Sequence, residues 1–229
     1  CIWFAKLDPI EPVAPKMRYF FFIKKLYIIA TFFNSTHILS HIFHYIFIKN
    51  VYIGVMSKNI WITGASSGIG KALAIKFANE GWQVAASARR ENLLRDLNKI
   101  NSNISSFPLD VRDENLSKVT FENIIEKFKT IDICVFCTGI HDPEAEKKLS
   151  SEKIREIMDT NFFGTLNCIA AVNNYFREKK NGHISIVSSV AGYRGLPAAA
   201  GYCASKAALT SLAESLYFDF KRHNVRVSL

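Results

Sequence analysis

The chain has 229 residues, 49% of them hydrophobic and 21% charged, a composition that supports one sizeable α/β core and leaves little for a second full domain. Its net charge of +9 is unevenly placed, with residues 1–55 holding six Lys or Arg against Asp8 and Glu11; no basic run in the rest forms a nucleic-acid footprint. Five cysteines without framework spacing argue against a disulfide scaffold and for a reducing, cytoplasmic setting.

Residues 1–55 stand apart. They hold eight of the eighteen Phe and three of the six His, and their apolar runs, 19–23, 26–33 and 42–48, fall short of the ~18 uninterrupted apolar residues of a spanning helix. Three readings compete. The favoured one is an extension outside the functional protein, since Met56 lies just ahead of the first strand. The second is a membrane-associated or targeting segment from Met17 onward, the only basis for membrane contact. The third is an N-terminal subdomain with His37, His41 and His44 on one helix face, although no carboxylate accompanies them to complete a metal site.

From Met56 the pattern alternates strand and helix. Strands are predicted at 59–63, 82–88, 104–109, 131–137, 183–188 and 225–229. Helices are predicted at 68–80 (ended by Gly81), 91–100, 113–129 (opened by Asp113), 150–180 (broken near Gly164) and 202–223. Cys134 and Cys137 lie in the fourth strand, where residues three apart face opposite ways, so this C-x-x-C reads as packing and no metal is expected. Repeated βα units imply a doubly wound parallel sheet. Ligands on such sheets bind beyond the strand carboxyl ends, and the candidate residues fall there: Gly64, Arg89, Asp110, Gly139 and Ser189.

Thr63-Gly64-Ala65-Ser66-Ser67-Gly68-Ile69-Gly70 joins the first strand to the first helix. Its glycines allow a tight turn and close approach of backbone to a pyrophosphate, which the free N–H groups of the helix start favour; Ser66 and Ser67 add hydroxyl donors. Arg89 and Arg90 follow the second strand, where an acidic residue would hold the ribose of NAD. A guanidinium there suits a 2′-phosphate, which predicts NADP(H) over NAD(H). Asp110 and Val111 follow the third strand, in reach of an adenine edge. Tyr202 and Lys206 are four apart on one helix face. The lysine cation stabilises the phenolate, so Tyr202 can pass a proton to or from a carbonyl oxygen, and Ser189 can hydrogen-bond that oxygen.

In these features the chain from about Met56 onward resembles the single-domain branch of the short-chain dehydrogenase/reductase family. The resemblance rests on the TGASSGIG run at 63–70, Asp110, Asn161-Phe162-Phe163-Gly164, Ser188-Ser189 and Tyr202-x-x-x-Lys206. It implies a Rossmann-type domain over 56–229, with Tyr202 as acid/base. Lys206 would bind the nicotinamide ribose, Ser189 would orient a small-molecule carbonyl or alcohol, and Asn161 would hold a relay water. Gly64, Ser66 to Gly70, Arg89, Arg90, Asp110, Val111 and Gly139 would line the cofactor site. It also implies a homodimer or homotetramer paired through the long helices. Two departures enter the expectation. The family's N-N-A-G after the fourth strand is Phe136-Cys137-Thr138-Gly139 here, and the family's last strands are absent, from which instability or inactivity of the chain made alone is expected. The alternative function is non-catalytic nucleotide binding or regulation on the same fold.

Overall fold

In the computed structural model, which describes residues 59–229, the β-rich runs become six strands: β1 Asn59–Thr63, β2 Gln83–Ser87, β3 Ile104–Ser106, β4 Ile133–Phe136, β5 Gly182–Ile186 and β6 Val225–Ser228. The readings of residues 1–55 lie outside the described residues. The six strands form one sheet in the order β3-β2-β1-β4-β5-β6, with every neighbouring pair parallel. A parallel sheet is covered on both faces, so its strands are apolar throughout. Accordingly Ile60, Trp61, Ile62, Val84, Ala85, Ile133, Cys134 and Val135 are all fully buried.

The covering helices are α1 Gly68–Asn79, α2 Glu91–Ile100, α3 Glu114–Phe128, a short α4 Pro143–Glu146, α5 Ser151–Met158, α6 Gly164–Lys179 and α7 Ala200–Lys221. Asp113 caps α3 as predicted, accepting from the Leu116 amide at 2.8 Å. On one face of the sheet Trp61 stacks on Phe121 at 5.7 Å and meets Phe136 edge-on at 5.6 Å. Its indole N–H donates to Ser87 Oγ at 2.9 Å, so the buried ring leaves no polar atom unpaired. Below β4, at the end remote from the loops that carry the candidate residues, Lys179 Nζ donates to Asp132 Oδ1 and Thr130 Oγ1, each at 2.8 Å.

Three differences from the predicted elements go beyond a residue or two at an element's end. β3 ends at Ser106 as a regular strand, but Phe107 and Leu109 still donate to Ala86 and Ala88 at 2.9 and 3.0 Å, and Pro108 between them sits on an edge strand, where its missing N–H removes no bond to β2. The helix predicted over 150–180 is interrupted near Gly164, as expected, but by a change of helix type and not by a break in the chain's course. A π-helical turn, Asp159–Phe163, joins α5 to α6, and Gly164 keeps helical backbone angles. Gly164 serves close packing: a Cβ there would lie 2.4 Å from Val111 Cγ2. The third difference is α4, which the sequence pattern leaves unmarked.

Strand order makes β1 and β4 the point where successive connections leave for opposite sides. In a doubly wound sheet that is where a ligand crevice opens beyond the strand carboxyl ends.

Candidate active site

Gly64 and Gly70 shape the loop after β1. Gly64 has φ +68, and a Cβ on Gly70 would lie 2.4 Å from the Gly64 carbonyl oxygen, so the turn folds onto itself more tightly than any side chain allows. Ser67, the N-cap of α1, makes no side-chain cap hydrogen bond, and a Cβ on the exposed Gly68 would meet nothing within 4 Å. An uncapped helix start facing open space fits a phosphate. Ile69 is 38% exposed beside it.

Of the two arginines after β2, Arg90 is the one that reaches this loop. Its Nη2 donates to Ser66 Oγ at 2.9 Å and to Ser67 Oγ at 2.8 Å, and its Nε donates to Ser66 Oγ at 3.2 Å. Arg89 adds positive potential near Asp110. Asp110 itself is gripped by Arg112, whose Nε donates to Oδ1 at 3.0 Å and to Oδ2 at 3.1 Å. This pairing, against partial burial, holds the carboxyl below the usual carboxylate range. An adenine contact at Asp110 would therefore share a carboxylate already bonded to Arg112. Val111 is buried against Gly164, and its carbonyl accepts from Asn167 Nδ2 at 2.9 Å.

The second half of the site gathers Gly139, Asn161 and Lys206. A Cβ built on Gly139 would lie 3.5 Å from both Asn161 Oδ1 and Lys206 Nζ. Asn161 is fully buried in the π-helical turn, a geometry often found at functional sites. Its Oδ1 accepts from the Ile140 amide at 2.7 Å, and its Nδ2 donates to the Ile140 carbonyl and to Ser205 Oγ, both at 3.0 Å. The side chain thus ties the loop after β4 to α7.

Lys206 is only 3% exposed, and its Nζ donates to the Val187 carbonyl at 2.8 Å. Burial pulls its ammonium down to about 8. The same Nζ stands 5.7 Å from the Tyr202 ring centroid. The neighbouring Cys137 thiol is pushed up to about 12 by burial, with Lys206 opposing the rise, so it stays a protonated packing group. Cys134 is likewise buried and raised. Among the described residues no group of three or more His, Cys, Asp or Glu is arranged to hold a metal, and no helix is long and apolar enough to cross a membrane.

The loop after β5 divides its two serines. Ser188 Oγ donates to the Lys206 carbonyl and pairs with Thr210 Oγ1, both at 3.1 Å, fastening the loop to α7. Ser189 turns into a short 3-10 turn, Val190–Gly192, and its Oγ accepts from the Ala191 amide at 3.2 Å, which leaves its hydroxyl hydrogen available to a ligand.

Two nearby residues escaped the sequence reading. Glu146 is 5% exposed, and its Oε2 accepts from the Gly201 and Tyr202 amides at 2.8 and 3.2 Å. The His141 ring stacks on the Tyr202 ring at 4.5 Å with 22° between planes. One signal pointed toward them: α7 begins in Ala198-Ala199-Ala200, with no side chain able to cap it, so a cap had to come from elsewhere.

A protein-family model described as short chain dehydrogenase matches residues 58–229. The chain belongs to that family of NAD(P)-dependent oxidoreductases. It is 34% identical over 174 residues to an uncharacterized oxidoreductase of Myxococcus xanthus, covering 73% of this chain and 68% of the relative. It is 30% identical over 172 residues to mouse dehydrogenase/reductase SDR family member 7, covering 72% of this chain and 51% of the relative. The chain thus spans about half the length of that second relative. Among solved structures, ElxO with NADP bound superimposes with a TM-score of 0.69 at 26% identity, over 76% of this chain and 72% of that one. At the departure Phe136-Cys137-Thr138-Gly139, β4 pairs with β1 and β5 in register through Phe136.

Proposed function

We propose that this chain carries an NADP(H)-preferring oxidoreductase activity that interconverts a carbonyl and an alcohol on a small molecule, with Tyr202 as the acid/base. The observation that carries the reading is the buried Lys206 ammonium beside the Tyr202 ring, held at one corner by the Val187 carbonyl. A cation is costly to bury without an ion pair, and a site that keeps one against a phenol is suited to stabilising a phenolate.

The residues divide the work. Gly64, Ser66, Ser67, Gly68, Ile69 and Gly70 would cradle the pyrophosphate, and Arg90, fixed on both serines, would meet a 2′-phosphate, with Arg89 alongside. Asp110 and Val111 would border the adenine, and Gly139 the nicotinamide end. When bound, the nicotinamide supplies or accepts the hydride. Tyr202 gives its phenolic proton to the carbonyl oxygen in reduction and takes it back in oxidation. Lys206 stabilises the phenolate left behind, Ser189 donates a hydrogen bond to the same oxygen, and Asn161 holds the loop after β4 against α7. The bound NADP of ElxO supports the choice of cofactor. Exposed Phe163 in the π-helical turn and exposed Tyr217 and Phe218 on α7 support pairing of copies through the long helices, which light scattering would test.

The test is a titration of the 229-residue chain with NADPH and NADH, read by tryptophan fluorescence, followed by turnover of a carbonyl panel. NADPH is expected to bind more tightly. Tyr202→Phe is expected to lower hydride transfer at least ~10²-fold, the scale of general acid–base catalysis, with NADPH affinity unchanged. Full turnover by Tyr202→Phe would overturn the assignment.

A further inference from the structure

Tyr202 is the third residue of α7. Its place depends on a helix turn whose N–H groups have no partner within the helix. The N-cap residue is Ala199, which has no side-chain acceptor. The acceptor comes instead from 55 residues upstream, where the Glu146 carboxylate ends α4 and takes both the Gly201 amide at 2.8 Å and the Tyr202 amide at 3.2 Å on Oε2. A carboxylate at a helix start is favoured by the helix dipole, and hydrogen bonds to a charged acceptor are about twice as strong as neutral ones. Such a contact resists displacement of the first turn.

The second oxygen of the same carboxylate is buried without a hydrogen-bond partner and lies 3.5 Å from His141 Nε2. That nitrogen is also 3.4 Å from the Ala198 carbonyl. Both neighbours are acceptors, so Nε2 carries the hydrogen. The imidazole ring then lies flat on the Tyr202 ring. One carboxylate therefore holds the Tyr202 backbone amide directly and packs 3.5 Å from the imidazole that covers the Tyr202 ring face, an imidazole whose Nε2 hydrogen points to the Ala198 carbonyl.

We propose that Glu146 and His141 are positioning residues for Tyr202, acting as a two-point clamp that Glu146 anchors. The proposal rests on the reading of Tyr202 as the acid/base. Neither residue touches the reacting atoms in it. Glu146 fixes the backbone from which the phenol projects, and His141 limits the ring to one face. A misplacement of about 1 Å in such a group can cost ~10²-fold in rate.

The experiment uses Glu146→Ala, Glu146→Gln, His141→Phe and His141→Ala in the 229-residue chain. Amide hydrogen exchange is read at Gly201 and Tyr202, and steady-state reduction of ethyl acetoacetate and phenanthrenequinone by NADPH is measured alongside. Glu146→Ala is expected to lose exchange protection at those two amides while residues 209–220 of α7 keep theirs. Its kcat is expected to fall on the order of 10²-fold with NADPH affinity unchanged. Glu146→Gln, whose amide oxygen still accepts both N–H groups, is expected to recover protection and most of kcat. His141→Phe keeps a stacked ring and is expected to lose less kcat than His141→Ala. Unchanged exchange in Glu146→Ala overturns the proposal without any substrate being needed, as does a Glu146→Gln as defective as Glu146→Ala. Loss of exchange protection with undiminished kcat overturns the positioning role. Tyr202→Phe run in parallel separates the two claims: if it turns over normally, the acid/base reading has failed, and the exchange data still decide whether Glu146 holds the helix.

Discussion

Lys206 is the residue where function and stability pull apart most clearly. Its ammonium sits at about 8 against an ordinary 10.5 because burial disfavours the charged form. The sign follows directly. Below pH 8 the lysine is charged in both folded and unfolded chains, and the folded state bears the full cost, roughly 3 kcal/mol from the size of the shift. As pH rises from 8 to 10.5 the unfolded chain still holds the proton that the folded one has released, so stability rises across that window. Lys206→Met is therefore expected to raise the Tm of the cofactor-free protein at pH 7, less about 1–3 kcal/mol for the Val187 carbonyl left unpaired, while hydride transfer is lost. Calorimetry and a turnover assay check the two halves. Arg90 makes a separate prediction. With its guanidinium already seated on Ser66 and Ser67, little side-chain freedom remains to be lost when a 2′-phosphate arrives. Arg90→Ala is expected to weaken NADPH by about 10–100-fold, the scale of one charge-assisted contact, and NADH far less, as fluorescence titration would read. Sequence pattern put Arg89 first, as the residue at the carboxyl end of β2, with Arg90 beside it. Only the start of α2, with Arg90 as its N-cap residue, separates the one that meets the serines.

At the scale of elements, what pattern makes legible is what periodicity and caps encode. Among the described residues, short apolar runs and amphipathic stretches identify all six strands and every α-helix but α4, with α5 and α6 read as one, and Asp113 marks its own helix. The motifs at Gly64 to Gly70 and at Tyr202 and Lys206 are legible because local spacing alone puts them on a turn and on one helix face. Glu146 is not legible for the opposite reason: its partner amides lie 55 residues away in sequence, and the four-residue helix that presents it is too short to leave a period. His183 shows a similar long-range dependence. It reads as one strand residue among others, yet pairing of β5 with β6 sets it opposite Arg226, with Nε2 2.7 Å from Ser228 Oγ. Burial, reinforced by Arg226, lowers its proton affinity to about 3. An unfolded histidine titrates at 6.5, so below that pH only the unfolded chain takes up the proton. The contribution of His183 is thus present above pH 6.5 and is lost at about 1.4 kcal/mol per pH unit as pH falls toward 3. Urea unfolding at pH 7 and pH 5.5 is expected to show this slope, and His183→Gln is expected to flatten it; an unchanged slope in the variant would place the proton uptake elsewhere.

For the molecule as a whole, the strand order places every candidate residue on one edge of the sheet. β1 and β2 deliver the glycine turn and the arginines, β3 delivers Asp110 and Val111, β4 delivers Gly139, and β5 delivers Ser189. The helix after β5 returns across that edge with Tyr202 and Lys206. Right-handed crossovers make this arrangement follow from alternation alone, which is why the site's location was readable before its contacts were. A ligand lying along that edge would bridge connections from both halves of the sheet, β3-β2-β1 on one side and β4-β5-β6 on the other. It would therefore bind the folded state and have no counterpart in the unfolded chain. Binding of that kind adds RT ln(1 + [L]/Kd), about 2.7 kcal/mol at a hundredfold excess over Kd. For a domain of this size each kcal/mol moves Tm by ~2–4 °C, so saturating NADPH is expected to raise Tm by roughly 5–10 °C. The rise should shrink in Arg90→Ala in step with its weaker affinity. Hydrogen exchange under the same conditions is expected to slow in residues 64–70 and 187–206 together. Protection confined to one half of the sheet would mean that the cofactor does not span the edge, and the division of roles among these loops would have to be redrawn.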